Sequence, residues 1–144
     1  RLGVELGERV DTSQVRETVL AVRAGKGMVL NPNDHDTWSA GSFFTNPLVS
    51  PDQVPEGAPA FAQSDGRVKT SAAWLIDHAG YGKGFKAAED APASLSTKHV
   101  LALTNRGGAS SGDLITLART VIGGVRDAYG ITLVPEPRLI GCTI

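Results

Sequence analysis

The sequence predicts an α+β fold, with a mixed, mostly antiparallel sheet and about three helices packed on it. Three segments combine a helical apolar period with residues that can cap both helix ends. Short strand-like runs lie between them, and the two element types do not alternate strictly, which argues against a doubly wound parallel sheet. With 144 residues, 41% of them hydrophobic, we expect residues 1–144 to form a single domain with its own core.

The first helix is predicted over residues 11–25. Val15, Val19 and Val22 recur at a spacing that places them on one helix face, and Gly25 is placed to end the helix. Two further helices are predicted by the same criteria, over residues 70–80 and 113–130.

About six short strands are predicted around these helices. They cover residues 42–49, 60–63, 84–88, 97–105, 131–135 and 137–141. Prolines interrupt several of these runs, so each strand is expected to be short or to lie at a sheet edge.

Composition excludes several classes of protein. The 14 basic and 15 acidic residues leave a net charge of −1, so no broad basic surface for nucleic acid is expected. No apolar run approaches the ~20 residues that span a bilayer. Cys142 is the single cysteine, which excludes an internal disulfide and a cysteine-based zinc site, and it fits a cytoplasmic setting. The three histidines are far apart in the sequence, so no metal site is predicted.

Known catalytic motifs are mostly missing. No Walker A sequence and no G-x-S-x-G elbow is present. The stretch GYGKGF at residues 80–85 lacks the G-x-G-x-x-G spacing and has no helical pattern after it, so we interpret it as a flexible link.

Two residues stand out on physical grounds. Ser42 lies between a glycine and two phenylalanines in AGSFFTNP, where a buried strand would favour valine. Glu136 lies between two prolines, which restrict its backbone. Such a restriction suits a carboxylate that must be held in a fixed direction. From the residues alone, a hydroxyl bonded to its own backbone and a turn glutamate at a rim remain open alternatives.

Four blocks in order carry a resemblance to a known family. They are AGSFFTNP, KTSAAWLID, STKHVLALTNRGGASSGDL and YGITLVPEPRLIG. Together they resemble the signatures of UDP-N-acetylenolpyruvoylglucosamine reductase (MurB), from about Val15 to Gly141. The departures are mild, at Thr45, Ala73 and Pro137, and none of them removes a reactive group.

The resemblance implies one half of a two-part enzyme. This chain is similar to the C-terminal substrate-binding domain, whereas the N-terminal half that binds FAD is absent from it. The chain begins RLGVELGERV without methionine, which suits either an internal segment or a trimmed terminus. The implied reaction is the reduction of UDP-N-acetylglucosamine enolpyruvate to UDP-N-acetylmuramate for peptidoglycan synthesis. The complete enzyme is expected to use FAD and NADPH, and this chain alone is expected to bind neither and to be inactive.

The resemblance also implies a role for five residues. Ser42 matches the proton donor, and Glu136 matches the residue that stabilises the enolate intermediate together with an arginine from the missing half. Lys26 and Asn46 match positions that contact the diphosphate of the UDP-sugar, and His99 stands where relatives carry a residue near the substrate.

Other interpretations of these residues lead to different functions. One is a stand-alone module that binds a UDP-sugar or nucleotide diphosphate without redox activity. Another is a purely structural domain, against which the joint presence of the matching residues argues. Lys26 could instead be a solvated lysine at a helix end, and His99 a packed strand histidine. We interpret Lys69 as structural or as a contact at a helix N-terminus.

Overall fold

A computed structural model describes residues 1–144 and confirms the α+β class. The three α-helices are α1 (Thr12–Ala24), α2 (Ala72–His78) and α3 (Ser111–Tyr129). The five strands are β1 (Leu48–Val49), β2 (Ala60–Ala62), β3 (Val68–Thr70), β4 (Ala93–Leu95) and β5 (Leu103–Asn105). Short 3₁₀ turns cover His35–Thr37 and Pro51–Gln53. None of the helices is long and apolar enough to cross a bilayer.

The helices begin and end close to the predicted residues because local capping chemistry specifies their ends. The Asp11 side chain accepts a hydrogen bond from the Ser13 backbone N–H at the start of α1. Ser110 and Asp113 form a capping box at the start of α3. Gly130 ends that helix with a left-handed φ of 68°, a conformation that glycine adopts without a steric penalty.

The strands form two small antiparallel sheets. In the first, β3 lies between β1 and β2; in the second, β4 pairs with β5. The segment around Ser42 connects separate parts of the chain through isolated bridges to Ala102 and Pro135. The single sheet predicted from the sequence is therefore replaced by two sheets and a bridging segment.

Several strand predictions are wrong. Residues 84–88 form turns, because Gly84 has a φ of +78° and leaves the extended conformation. Residues 97–101 also turn, so only the second half of the predicted strand 97–105 is extended. Residues 131–141 contain one bridge and no strand. β4 escaped prediction because Ala93 and Ser94 have no strong preference for strands, although both are buried.

The core lies between α2, α3 and the two sheets. Residues of α3 on its apolar face are fully buried, and they pack with buried residues of α2 and the strands. The largest fully buried side chains are Phe44, Leu75, Ile76, Leu95, Leu117 and Leu133. This core fixes the segment that carries Ser42, because Phe44 belongs to it.

Candidate active site

Ser42 lies on a short extended segment that is held from both sides. On one side Ser42 bridges Ala102, and the Phe43 N–H donates to the Leu101 carbonyl at 2.7 Å. On the other side the Glu136 N–H donates to the Phe43 carbonyl at 2.8 Å. The backbone of Phe43, the residue after Ser42, is thus hydrogen-bonded to the backbone of Glu136.

Ser42 and Glu136 line the same open cavity of about 490 Å³. The remaining lining residues are Arg23, Met28, Ala40, Gly41 and Pro137. The Ser42 hydroxyl makes no hydrogen bond within the chain, and neither does the Glu136 carboxylate. The alternative in which Ser42 bonds to its own backbone is therefore not observed, and both side chains are available to a ligand.

The residues beside Ser42 fix its position and leave open space next to Gly41. Phe44 is only 2% exposed, and Phe43 packs against it edge to face with ring centroids 5.1 Å apart. This confirms that at least one of the two phenylalanines anchors the segment in the core. Gly41 has a φ of +84°, and a Cβ there would meet no atom within 4 Å, so the backbone turns beside open space.

Lys26 and His99 come from distant parts of the chain and lie near each other. Burial of the His99 ring lowers its pKa, and the positive charges of Lys26 and Lys83 lower that pKa further. His99 is joined to the Ser42 segment because its carbonyl accepts from the N–H of Ala102, the residue that bridges Ser42. The lowered pKa favours a neutral imidazole at neutral pH.

Asn46 has a structural contact in this chain. Its Oδ1 accepts from the Ala72 N–H, the first residue of α2, at 2.9 Å. The amide nitrogen of Asn46 makes no hydrogen bond, and the residue is exposed. Asn46 is not among the residues that line the cavity of Ser42 and Glu136.

Asp36 connects the segments that carry the candidate residues, and sequence reasoning missed it. Its carboxylate accepts from the backbone and hydroxyl of Thr97 and from the Arg106 guanidinium, the last at 2.7 Å. Burial acts to raise the pKa of Asp36, but these hydrogen bonds outweigh it and lower the pKa to about 2. A Cβ on Gly27 would lie 2.9 Å from the Asp36 carbonyl, so the turn that carries Lys26 packs against Asp36 as well.

Two further cations were missed. Arg23, in the last turn of α1, lines the cavity of Ser42 and Glu136, and Lys83 lies close enough to His99 to lower its pKa. The available signal for Arg23 was its position three residues before Lys26, near the end of the first predicted helix. No local signal pointed to Lys83, since its proximity to His99 depends on the fold.

The glycine-rich stretch at residues 80–85 does not form a phosphate-binding loop. Residues 80–85 form a turn that leads into further turns, so no helix N-terminus follows the glycines to face a diphosphate. No group of three or more His, Cys, Asp or Glu side chains converges in a way that could hold a metal ion.

Comparison with known proteins places the chain in a family. The sequence model of "UDP-N-acetylenolpyruvoylglucosamine reductase, C-terminal domain" matches residues 31–140. The chain therefore belongs to the UDP-N-acetylenolpyruvoylglucosamine reductase family and contains its C-terminal domain.

The relatives carry the same name and are much longer. A reductase from Cutibacterium acnes is 96% identical over 144 residues, which are all of this chain and 38% of that protein. Relatives from Streptomyces avermitilis and Mycobacterium tuberculosis are 56% and 55% identical, and the matches cover 97% and 99% of this chain but 41% and 42% of those proteins. The crystal structure of the reductase (MurB) from Thermus caldophilus matches 90% of this chain and 36% of that one, with 26% identity and a TM-score of 0.46.

Proposed function

We propose that this chain is the substrate-binding and catalytic part of a reductase that converts UDP-N-acetylglucosamine enolpyruvate to UDP-N-acetylmuramate. The reaction belongs to peptidoglycan synthesis in the cytoplasm, and it requires the chain to be joined to a flavin-binding half. The observation that carries the proposal is the shared cavity of Ser42 and Glu136, which lie 94 residues apart in the sequence and meet through the hydrogen bond between Glu136 and Phe43.

The other half supplies the reducing chemistry. When bound by that half, FAD reduced by NADPH would supply the hydride for the reduction of the substrate. The openness of the cavity is consistent with a site completed by a second domain, since ligand sites often form between domains.

Ser42 is proposed to deliver the proton that completes the reduction. A serine hydroxyl is a weak acid, so it can donate only to a strongly basic carbon that is held close. Its freedom from internal hydrogen bonds leaves the proton available, and the buried Phe44 beside it keeps the segment from shifting. Rigidity matters here because a misplacement of ~1 Å can cost ~100-fold in rate.

Glu136 is proposed to stabilise the enolate-like intermediate. A bare carboxylate beside a developing anion is unfavourable, so Glu136 must be protonated or paired with a cation when the reaction occurs. Arg23 lines the same cavity and offers a guanidinium from within this chain. An arginine from the missing half is the second source of charge that the resemblance implies.

The cations near His99 are proposed to bind the diphosphate. Lys26 and Lys83 supply positive charge, the neutral imidazole of His99 supplies a hydrogen bond, and the free amide nitrogen of Asn46 is a further donor. The charge of Lys26 is not neutralised by an ion pair within the chain.

A binding titration tests this proposal. Adding UDP-N-acetylglucosamine enolpyruvate to isotope-labelled chain should shift the amide NMR signals of Arg23, Lys26, Ser42, His99 and Glu136. UDP-N-acetylglucosamine serves as a matched ligand that lacks only the enolpyruvyl group. It should shift Lys26 and His99 and leave Ser42 and Glu136 almost unchanged. Shifts confined to another surface, such as the cavity beside Arg119 and Arg126, or no shifts, would contradict the proposed site.

A further inference from the structure

Three turns carry the charged and polar groups that are proposed to bind the diphosphate. We call Lys26, Lys83 and His99 the diphosphate cluster. Lys26 follows α1, whereas Lys83 and His99 lie in the turns at residues 80–85 and 97–101. Both lysines lower the pKa of His99 through their charge, so the three side chains face one region. Since no member of the cluster belongs to a helix or a strand, contacts between the turns must set their spacing.

The turn that carries Lys26 is joined to Thr97 through Asp36. The backbone N–H of Thr97 donates to one carboxylate oxygen of Asp36 at 2.9 Å, and the Thr97 hydroxyl donates to the other. Asp36 is only 4% exposed. Its carbonyl packs against Gly27, the residue after Lys26, where a Cβ would lie 2.9 Å away. Displacement of Thr97 would therefore disturb Asp36 and the turn that carries Lys26.

Thr97 also contacts the turn that carries Lys83. A Cβ built on Gly84, the residue after Lys83, would lie 3.6 Å from the methyl carbon of Thr97. The Gly84 N–H donates to the carbonyl of Ser96 at 3.3 Å. The N–H of His99 donates to the side chain of the same Ser96, also at 3.3 Å. All three turns of the diphosphate cluster therefore meet at residues 96 and 97.

A neighbouring ion pair joins two of these segments less firmly. The Lys98 Nζ lies 2.5 Å from a carboxylate oxygen of Asp34, and the two side chains are 37% and 30% exposed. Ion pairs that water reaches contribute little to stability, because solvent and salt screen them. The hydrogen bonds of Thr97 to the buried Asp36 carboxylate are therefore the stronger tie.

We propose that Thr97 is a positioning residue that sets the spacing of the diphosphate cluster. Its hydroxyl holds the turn of Lys26 through Asp36, and its methyl group packs against the turn of Lys83. A preformed spacing raises affinity, because fewer side chains and loops must be ordered when the ligand binds. The inference rests on the proposed function for the identity of the ligand, whereas the spacing itself is a property of the free chain.

Three variants separate the two contacts of Thr97. Thr97→Val removes the hydroxyl that donates to Asp36 and keeps a methyl group beside Gly84. Thr97→Ser keeps the hydroxyl and removes the methyl group, so it should restore the tie to Asp36. Thr120→Val is the matched control, because the Thr120 hydroxyl donates to a carbonyl within α3. Thr97 is exposed, so neither substitution there should unfold the chain.

The first measurement is an NMR titration of the His99 ring in the free chain. Thr97→Val should raise the pKa of His99 toward the ordinary value of about 6.5, because separation of the turns weakens both the burial of the ring and its repulsion by the lysines. Thr97→Ser and Thr120→Val should leave this pKa unchanged. An unchanged pKa of His99 in the Thr97→Val chain would overturn the proposal.

The second measurement is the affinity for UDP, determined by calorimetry. Thr97→Val should weaken UDP binding about 5-fold or more, and the other two variants should change it less than about 2-fold. Equal UDP affinity of the Thr97→Val chain and the unaltered chain would also overturn the proposal. If the unaltered chain fails to bind UDP while Thr97→Val still raises the pKa of His99, diphosphate binding in the proposed function is contradicted and the role of Thr97 in spacing is not.

Discussion

Individual side chains explain why two distant parts of the sequence form one site. Ser42 and Glu136 face the same cavity because the backbone of Phe43 bonds to Glu136 and the ring of Phe44 is buried beneath it. The positions of both reactive groups therefore depend on main-chain geometry. Asp36 likewise holds in place the turns that carry Lys26 and His99.

Replacing Asp36 should change how the free energy of unfolding depends on pH. Its pKa falls from 3.8 to about 2 on folding, and each pKa unit is worth about 1.4 kcal/mol, so the carboxylate contributes about 2 kcal/mol to the free energy of unfolding. Because the folded-state pKa is the lower one, this stability is present above pH 3.8 and is lost as the pH falls through about 2. Asp36→Asn should lower the unfolding free energy at pH 7 by about 2 kcal/mol and remove that acid-dependent part.

Urea unfolding across a pH series measures both effects. Asp65→Asn is the control, because Asp65 forms an ion pair with Arg67 in which both side chains are about half exposed. Such exposed pairs contribute little, so this variant should unfold almost as the unaltered chain does. A loss for Asp36→Asn no larger than that for Asp65→Asn would show that Asp36 does not hold these segments together.

At the scale of elements, α3 packs closely against the turn after α2 at Gly124. A Cβ built on Gly124 would lie 1.9 Å from the Tyr81 hydroxyl oxygen and 2.2 Å from the nearest atom of its ring, whereas one on the adjacent Gly123 would meet nothing within 4 Å. The Tyr81 ring also packs edge to face on Phe85, which limits its freedom to move. This contact holds the turn after α2 against α3.

The two glycines should respond oppositely to alanine. Gly124→Ala should lower the free energy of unfolding by about 1–3 kcal/mol, because the half-buried Tyr81 ring must shift away from the core residues that it packs against. Gly123→Ala should raise it by about 0.5–1 kcal/mol, because alanine is the better helix former and has room there. Thermal or urea unfolding of both variants measures the difference. A Gly124→Ala protein as stable as Gly123→Ala would contradict the close packing described here.

The sequence predicted the helices well because the information that specifies them is local. Asp11, Ser110 and Gly130 act within a few residues of themselves, and each caps one end of a helix. The strands are only two or three residues long, and their pairing depends on distant partners such as Leu48 and Lys69. Short runs without local signals, such as β4, therefore escaped prediction.

The same difference between local and long-range information explains which residues of the candidate site were predicted. Ser42 and Glu136 were predicted through motifs that are contiguous in sequence. Asp36 was missed because its partners Thr97 and Arg106 are 61 and 70 residues away, and Lys83 was missed because only folding brings it near His99. That Asn46 bonds to the start of α2 also depends on contacts between distant residues.

At the scale of the whole molecule, the chain matches only part of the length of its relatives. It spans about two fifths of the length of the curated relatives it matches. Its cavity is open, and no residue of α1 is buried. These features agree with the proposal that the active site is completed by another part of the reductase.

The most direct test is turnover by the joined halves. With FAD and NADPH present, we expect UDP-N-acetylglucosamine enolpyruvate to be reduced when this chain and the flavin-binding half are combined, and by neither alone. Ser42→Ala should lower the rate by about 100-fold or more, as expected for loss of a general acid, while substrate binding persists. Ser64→Ala, an exposed serine in the turn between β2 and β3, should not change it. Reduction by the Ser42→Ala protein at the unaltered rate would contradict the assignment of Ser42 as proton donor.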